Sequence, residues 1–390
     1  MKKFDRERLL LGLAGPVIAL VVAVLLTSVV LLASGRSPFE PYAIMLEQAG
    51  YADIQVLIIN AASGYYIAAL AVAIGFRMNL FNIGVEGQYR LAAMVTAVVG
   101  AKVALPGALQ LPLLILVAAL TGAFWAGIAG LLKVTRGVSE VVSTIMLNSI
   151  ATSVIGYFTL PSLFGVRQGN NKTTGEMHDS GWFPNLDLGP AGELYGFVFV
   201  AVALGVAYWV ILNRTRFGFD LRATGASESA AAASGVNAKR MVLTAMLLSG
   251  AVAGLAGMPT LLNDTHTYSL SFPTSLGFTA IGIALLGRGG PVGIAFASLL
   301  WAFLDKASAE LDYRGYDTEI AVIMQGLIVI AVVVSYEAVR RWGLRRQQQR
   351  VGEEIAAGHV IGTDGTDGTD GTDGSTGTSG DDNDKEVAAR

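Results

Sequence analysis

Asn82, Glu86 and Gln88 are polar residues that lie close together in an otherwise strongly apolar chain, within the stretch "NLFNIGVEGQYRL" at positions 79–91. An unpaired polar group in hydrocarbon costs several kcal/mol, roughly, so this set is not expected to face lipid. Amide and carboxylate groups of this kind can contact a polar solute. The stretch is therefore a candidate for a substrate-binding segment inside a membrane protein.

The same residues also have structural interpretations. Asn82 suits the N-cap of a helix that continues through the stretch, and Glu86 is favoured near a positive helix N-terminus. A further alternative places Glu86 at the cytoplasmic rim, in an ion pair with Arg77 or Arg90.

Two other apolar runs carry neutral polar residues, with Asn60 in one and Ser143 and Asn148 in the other. Amide and hydroxyl groups suit an uncharged, hydroxyl-rich ligand with base edges. The alternative is hydrogen bonding between helices, commonly worth about 0.6 kcal/mol each. The predicted substrate path comprises Asn60, Asn82, Glu86, Gln88, Ser143 and Asn148.

The elements that position these residues follow from composition. The chain of 390 residues is 53% hydrophobic and 15% charged, against about 25% charged in soluble domains. The apolar residues form continuous runs of about 17 to 25, the length of a membrane-spanning helix. Because the runs do not alternate, a β-barrel is excluded. The predicted fold class is an all-α polytopic membrane protein.

The pattern predicts ten spans in two inverted five-span halves. Each half contains one interrupted span, at 79–90 and at 268–291, and such pairs point to a transport path. The first span is too long for a signal peptide. The short pair near residue 288 has a re-entrant hairpin as its alternative. The predicted spans are 10–34, 55–76, 83–104, 112–133, 138–160, 194–212, 241–262, 276–287, 291–305 and 318–338.

Basic residues predict the orientation. With the N-terminus inside, the inner segments of positions 1–350 hold 19 Lys and Arg and the outer segments hold six. This bias favours cytoplasmic placement of both termini in a multi-pass protein. The predicted location is the bacterial cytoplasmic (inner) membrane.

Residues 1–350 are predicted to form the membrane domain and 351–390 a disordered acidic tail. The tail holds ten acidic and two basic residues and repeats "GTD", a composition that cannot bury a core. Residues 161–193 form an external polar loop. Residues 213–240 form an internal loop in which an alanine-rich run predicts a short amphipathic helix, with a plain solvated connector as the alternative.

Several classes of protein are disfavoured. The chain has no Cys and only three His, without ligand spacing, so thiolate chemistry is excluded and a metal site is not predicted. A membrane enzyme would need a nucleophile–base pair or a metal cluster in a span. An ion-coupled secondary transporter remains the main alternative, but it would be expected to bury ionisable relays at mid-membrane, and the predicted span centres lack charge.

Four segments, in order, resemble permease subunits of ABC importers of the nucleoside and simple-sugar branch, a superfamily that includes ribose and branched-chain amino acid permeases. They are "NLFNIGVEGQ", "GVSEVVSTIMLNSIA" at 137–151, "RTRFGFDLRATGASESAAAASGVN" at 214–237 and "GFTAIGIALLGRGGPVGIAFASLLWA" at 277–302. The first two favour the nucleoside branch. Simple sugars are the alternative substrate.

The resemblance implies a division of labour. A separate ABC ATPase with two nucleotide-binding halves would bind ATP–Mg, a second permease subunit would complete the path, commonly as a heterodimer, and an external lipoprotein would deliver the substrate. The chain itself is implied to be a transport subunit in membrane lipid, with no cofactor of its own and no nucleic acid partner. It lacks the G-x-x-x-x-G-K-[ST] phosphate loop, in keeping with this division.

The resemblance also assigns a role to the inner loop. Its alanine-rich helix is then the coupling helix that docks into the ATPase. The residues predicted to serve this coupling are Arg222, Gly225, Ala231 and Gly235, with Gly225 and Gly235 as the ends of the helix.

Overall fold

The computed structural model describes residues 18, 21–33, 35–169 and 171–316, with scattered positions between 322 and 341. Helices account for most of them, in agreement with the predicted class. The predicted span at 318–338 lies mostly outside the described residues, as does the start of the span at 10–34. The predicted acidic tail at 351–390 lies wholly outside them.

The elements below all belong to one unit of the chain, Met1–Glu337. In chain order its described helices are α1 (Val21–Ala33), α2 (Glu40–Gln48), α3 (Ala52–Phe76), α4 (Val85–Lys102), α5 (Gly107–Arg136), α6 (Glu140–Phe158), α7 (Phe197–Arg214), α8 (Arg216–Ala226), α9 (Glu228–Ala233), α10 (Ala238–Gly254), α11 (Met258–Thr260), α12 (Leu276–Leu286), α13 (Pro291–Ala307) and α14 (Ala309–Tyr313).

Within the described part of the chain, six helical segments are long and apolar enough to cross a membrane, which supports a multi-pass membrane protein but not the predicted count of ten spans. They are Ala52–Phe76, Gly107–Arg136, Glu140–Phe158, Phe197–Arg214, Ala238–Thr265 and Pro291–Tyr313. They match the predicted spans at 55–76, 112–133, 138–160, 194–212, 241–262 and 291–305.

The short pair of predicted spans has unequal members. Helix α12 has 11 residues, or about 16 Å at 1.5 Å per residue, half of a hydrocarbon core of about 30 Å. The segment Pro291–Tyr313 has 23 residues and is long enough to cross. The two members therefore differ in length, and the re-entrant hairpin stays a prediction.

Helix α3 is the centre of the bundle. It packs against α7, α10, α12 and α13, and the run from Ile67 to Ile74 is almost fully buried on every side. Helices α5, α6 and α7 expose many large apolar side chains, as expected of an outer layer in lipid. Since hydrocarbon surrounds such a bundle, close packing rather than water exclusion must hold its helices together.

Glycine provides that packing between α5 and α10. A Cβ at Gly122 would lie 2.2 Å from the carbonyl oxygen of Gly250 and 2.8 Å from the Cα of Gly254. No side chain fits there, so the two backbones touch directly. Gly250 and Gly254 are four residues apart and present one small face, the spacing typical of close helix pairs in membranes.

The outer loop is more ordered than the all-α prediction implied. Strand β1 (Val166–Gln168) pairs with β2 (Asn171–Thr173), and β3 (Asn185–Asp187) pairs with β4 (Glu193–Tyr195), both antiparallel. In these short hairpins, the polar backbone groups of a turn-rich loop form hydrogen bonds with one another.

The outer hairpins contact the segment that follows α11. Thr174 N donates to the carbonyl of Tyr268 at 3.0 Å, and Trp182 stacks on His266 with ring centroids 4.0 Å apart. Burial lowers the pKa of His266, so the imidazole in this stack is neutral at pH 7.

The inner loop forms two helices, not one. Ser227 caps α9 by accepting a hydrogen bond from Ala230 N at 3.3 Å, and Gly235 has a φ of +83° just after its end. The predicted alanine helix is present with Gly235 at its end. The prediction that Gly225 begins it is wrong, because Gly225 lies in the last turn of α8.

The α5–α10 contact predicts a strong effect of one methyl-sized change. Gly122→Ala should force the two helices apart and destabilise the protein by about 1–3 kcal/mol, the usual cost of overpacking. The matched control is Gly156→Ala in α6, where an added Cβ meets nothing within 4 Å. Thermal unfolding of the purified permease measures both. Equal midpoints for the two variants would contradict the packing described here.

Candidate translocation site and its hydrogen-bond network

Glu86 joins the two interrupted segments. One oxygen of its carboxylate accepts a hydrogen bond from Ser275 N at 2.9 Å, and the other accepts one from Gly277 N at 3.0 Å. The Tyr89 hydroxyl lies 3.2 Å from the same carboxylate and 2.7 Å from the carbonyl oxygen of Pro273, so these two acceptors share its proton. Glu86 itself is only 5% exposed.

The chemistry of this contact follows from the start of α12. The first N–H groups of a helix have no partner within it and carry a partial positive charge. The Glu86 carboxylate supplies both the acceptors and the opposite charge. Gly277 permits the approach, because a Cβ there would lie 2.3 Å from the Glu86 backbone nitrogen.

Asn82 and Gln88 form a reciprocal amide pair. Asn82 Nδ2 donates to Gln88 Oε1 at 3.0 Å, and Gln88 Nε2 donates to Asn82 Oδ1 at 2.9 Å. Asn82 Oδ1 also accepts from Gly84 N at 3.1 Å, and Nδ2 donates to Ser249 Oγ at 2.9 Å. Asn82 is not the N-cap of α4, because that position is Gly84. Ser249 in turn donates to the carbonyl of Ala71 at 2.6 Å. The pair therefore ties the start of α4 to α10 and α3.

Asn148 secures the same segment from α6. Its Oδ1 accepts from Gly87 N at 2.9 Å, and its Nδ2 donates to the carbonyl of Ile83 at 2.9 Å. An amide that bridges one donor and one acceptor of a neighbouring backbone fixes both distance and orientation. Asn82, Glu86, Gln88 and Asn148, all predicted from sequence, thus meet around one helix start.

The other two predicted path residues lie apart from this cluster. Asn60 donates to the carbonyl of Glu193 and accepts from Tyr195 N, each at 2.9 Å, and so anchors the β3–β4 hairpin. Ser143 donates to the carbonyl of Ser139 on its own helix. All six residues are buried and bonded within the protein in this conformation. Their contact with substrate stays a prediction.

The alternative that placed Glu86 in an ion pair does not describe this structure. Among the described residues, neither Arg77 nor Arg90 forms an ion pair with Glu86. Arg77 instead donates to the carbonyl of Gly289 at 2.9 Å, and Tyr208 donates to the same oxygen at 2.6 Å. These bonds tie the end of α3 to the turn after α12.

The predicted coupling residues lie on α8, α9 and their ends. Arg222 donates to the carbonyl of Leu212 and so links α8 to the end of α7. A Cβ at Gly225 would lie 2.5 Å from the carbonyl oxygen of Arg77, so α8 rests directly on the loop after α3. Ala231 is the buried residue of an otherwise exposed α9. Their role in coupling stays a prediction.

Two residues near the cluster were missed as site candidates. Arg90, counted with the inner cytoplasmic residues, lies one and a half turns inside α4. Tyr268 is fully buried, yet its hydroxyl has no hydrogen-bond partner. The proximity of Arg90 to Glu86 in the stretch was the available signal. Nothing local in the sequence pointed to Tyr268.

A bundle of membrane-length helices with two interrupted elements joined at its centre defines a polytopic transport protein. A family model described as "Branched-chain amino acid transport system / permease component" matches residues 54–333, and the chain belongs to this family of permeases. It is a membrane transport subunit, not an enzyme.

Named relatives are similar over nearly their whole length. The chain is 31% identical to the glucose ABC transporter permease protein TsgB13 of Haloferax volcanii, over 88% of this chain and 92% of the relative. It is 32% identical to the guanosine ABC transporter permease protein NupP of Bacillus subtilis, over 82% and 93%. A second guanosine permease protein of that organism, NupQ, is 25% identical over 63% and 79%.

The Glu86 contact predicts a charge-dependent stability. Glu86→Gln keeps the shape of the side chain but removes the charge that the start of α12 prefers, and should destabilise the protein by about 1.5–3 kcal/mol. Thermal unfolding of the purified permease checks this. Glu310→Gln is the control, since Glu310 makes only an exposed ion pair with Arg314, worth at most about 1 kcal/mol. Equal midpoints would show that the carboxylate charge is dispensable.

Proposed function

We propose that this chain is the permease subunit of an ATP-driven ABC importer and forms the translocation path for nucleosides. Family membership supports the importer class. The guanosine permease NupP, related over 93% of its length, supports a nucleoside substrate. The cluster at Asn82, Glu86, Gln88 and Asn148 supports the path, because its polar groups lie where two interrupted helices meet inside the bundle.

A simple-sugar importer is the second candidate. The glucose permease TsgB13 supports it at a similar identity. Both substrate classes carry hydroxyl groups and no obligatory charge, and neutral amides suit either. An ion-coupled secondary transporter is disfavoured by the family.

The proposal includes the partners. A separate ABC ATPase with two nucleotide-binding halves binds ATP–Mg, and an external lipoprotein delivers the solute. The paired guanosine permeases NupP and NupQ support a heterodimer with a second permease subunit. The complex lies in the cytoplasmic membrane with both termini of this chain inside.

Substrate class is tested by transport. The complete importer, with its own ATPase and binding protein, is reconstituted in vesicles. ATP-dependent uptake of labelled guanosine should be competed by excess nucleosides and not by excess glucose. Glucose uptake without nucleoside uptake would move the assignment to the sugar branch. Uptake without the ATPase would overturn the importer class.

The coupling role of α9 is tested at Ala231. Ala231→Pro removes the bond from Ala231 N to the Ser227 carbonyl and places proline inside a short helix, at a cost of about 3 kcal/mol. The membrane helices should still insert, since insertion depends on hydropathy. Copurification of the ATPase and substrate-stimulated ATP hydrolysis should both fall.

The control places proline where the helix accepts it. Glu228 is the first residue of α9, and Ser227 before it is already extended at φ −161° and ψ 114°, so Glu228→Pro should leave the helix intact. Glu228→Ala controls for the lost charge. If Ala231→Pro couples as well as Glu228→Pro, α9 is not the coupling element.

A further inference from the structure

Arg90 is a half-buried cation in the first half of α4. One terminal nitrogen of its guanidinium lies 3.3 Å from the Thr152 hydroxyl on α6, and its buried Nε has no hydrogen-bond partner. Within the described part of the chain it forms no ion pair. Its charge-bearing group is therefore incompletely satisfied by the protein.

The depth of Arg90 follows from the helices around it. The start of α12 bonds to Glu86, and its other end lies beside Arg77 at the end of α3. Helix α12 is about 16 Å long, and Arg90 lies four residues, about 6 Å, further along α4. In the other direction, twelve residues or about 18 Å separate Arg90 from Lys102 at the end of α4. Arg90 thus lies away from both ends of these apolar helices.

A cation at this depth is not expected to face lipid. An intramembrane arginine is among the costliest residues to expose to hydrocarbon, and such residues face a bundle interior or a water-filled cavity. Arg90 lies at the exposed border between α4 and α6. That border must therefore be covered by water, a polar ligand or another subunit.

The neighbouring face of α6 carries hydroxyl groups among apolar side chains. Ser149, Thr152 and Ser153 are exposed there, together with Ile150 and Tyr157. The hydroxyl of Tyr268 is fully buried beside the Arg90 guanidinium, and the Arg90 Nε is the unsatisfied donor at this border. Unsatisfied donors of this kind are rare in buried positions and call for a partner.

We propose that Arg90 and Thr152 form a solute-binding site in a water-filled path along the α4–α6 border, with Tyr268 buried behind the guanidinium. The ligand class is a neutral solute with an oxygen acceptor, such as a nucleobase carbonyl or a sugar hydroxyl, which accepts hydrogen bonds from the guanidinium. The inference rests on the proposed transport function. It differs from the earlier path prediction, whose residues bond to the protein itself.

Hydration of the site is tested without any substrate. The chain has no Cys, so a single introduced cysteine is the only thiol of this chain that can be labelled. In the assembled complex in membranes, Ser153→Cys and Ser149→Cys should react with a charged, membrane-impermeant maleimide, because a thiol reacts as the thiolate, which forms in water. Leu120→Cys, on the exposed apolar face of α5, should not react, whereas Asn171→Cys in the β1–β2 hairpin should react fully.

Reaction rates at Ser153→Cys and Ser149→Cys within about ten-fold of that at Asn171→Cys would support a hydrated path. Rates as low as that at Leu120→Cys in both variants would overturn it, because the border would then be dry. This result is independent of which solute is carried, so failure here is distinguishable from failure of the proposed nucleoside function.

Solute contact is tested by uptake kinetics. Arg90→Leu should raise KM for uptake by about ten-fold, as expected when a charged hydrogen-bond donor is lost, and Arg90→Lys should restore part of the affinity. Arg314→Leu, at an exposed ion pair, is the matched control. Copurification with the ATPase verifies assembly. An assembled Arg90→Leu complex with unchanged KM for every transported solute would overturn the proposed contact.

Comparison of guanosine with adenosine identifies the acceptor. Guanosine has a carbonyl on its base and adenosine does not, while their ribose hydroxyls are identical. A larger KM increase for guanosine would assign the contact to the carbonyl. Equal increases would assign it to the ribose hydroxyls, and both results support the site.

Discussion

The arrangement of the bundle depends on one carboxylate. Glu86 belongs to the first turn of α4, yet its two oxygens accept the hydrogen bonds that begin α12. Two helix N-termini thus meet here. The Glu86 carboxylate accepts the hydrogen bonds from the start of α12, whereas Gly87 N at the start of α4 donates to Asn148 Oδ1. Without that anion, the first turn of α12 would present unsatisfied donors in a medium without water, which makes an interrupted helix costly.

Close backbone packing makes this contact possible. Gly277 lets the start of α12 approach α4, and Gly87 lets α6 approach from the other side, where a Cβ would lie 2.9 Å from Asn148 Oδ1. The polar side chains then act over hydrogen-bond distance because nothing bulky separates the helices. Small residues and polar residues therefore work together here, since each would be ineffective without the other.

The sequence was informative where a signal was local. Hydropathy predicted the membrane class, and six predicted spans correspond to long apolar helices. The motif around Asn82 was predicted to matter, and four of the six proposed path residues do meet in one cluster. Asn60 lies apart from this cluster because its partner is a β-hairpin 133 residues away in sequence, and no local pattern reveals such a pairing.

Features that arise from tertiary contact were harder to foresee. The start of α12 is fixed by hydrogen bonds to Glu86, which is 189 residues from Ser275 in the chain. Residues 161–193 were predicted as an external polar loop, whereas cross-strand bonds order parts of it into hairpins. Gly225 looked like a helix boundary by residue type, whereas its actual constraint is contact with the backbone of Arg77 and Met78.

That contact bears on how the inner surface and the bundle centre are joined. Helix α8 rests on the loop that leads from α3 to Asn82, and Arg77 in the same loop bonds to the turn after α12. A displacement of α8 would therefore move the loop that leads into α4. It would also reach the end of α12 through the bond between Arg77 and Gly289. The loop that leads into α4 is reached through a backbone contact at Gly225, and the end of α12 is reached through the Arg77 side chain. A partner that moves α8 and α9 thus has a short physical route to Glu86, where the two helices begin.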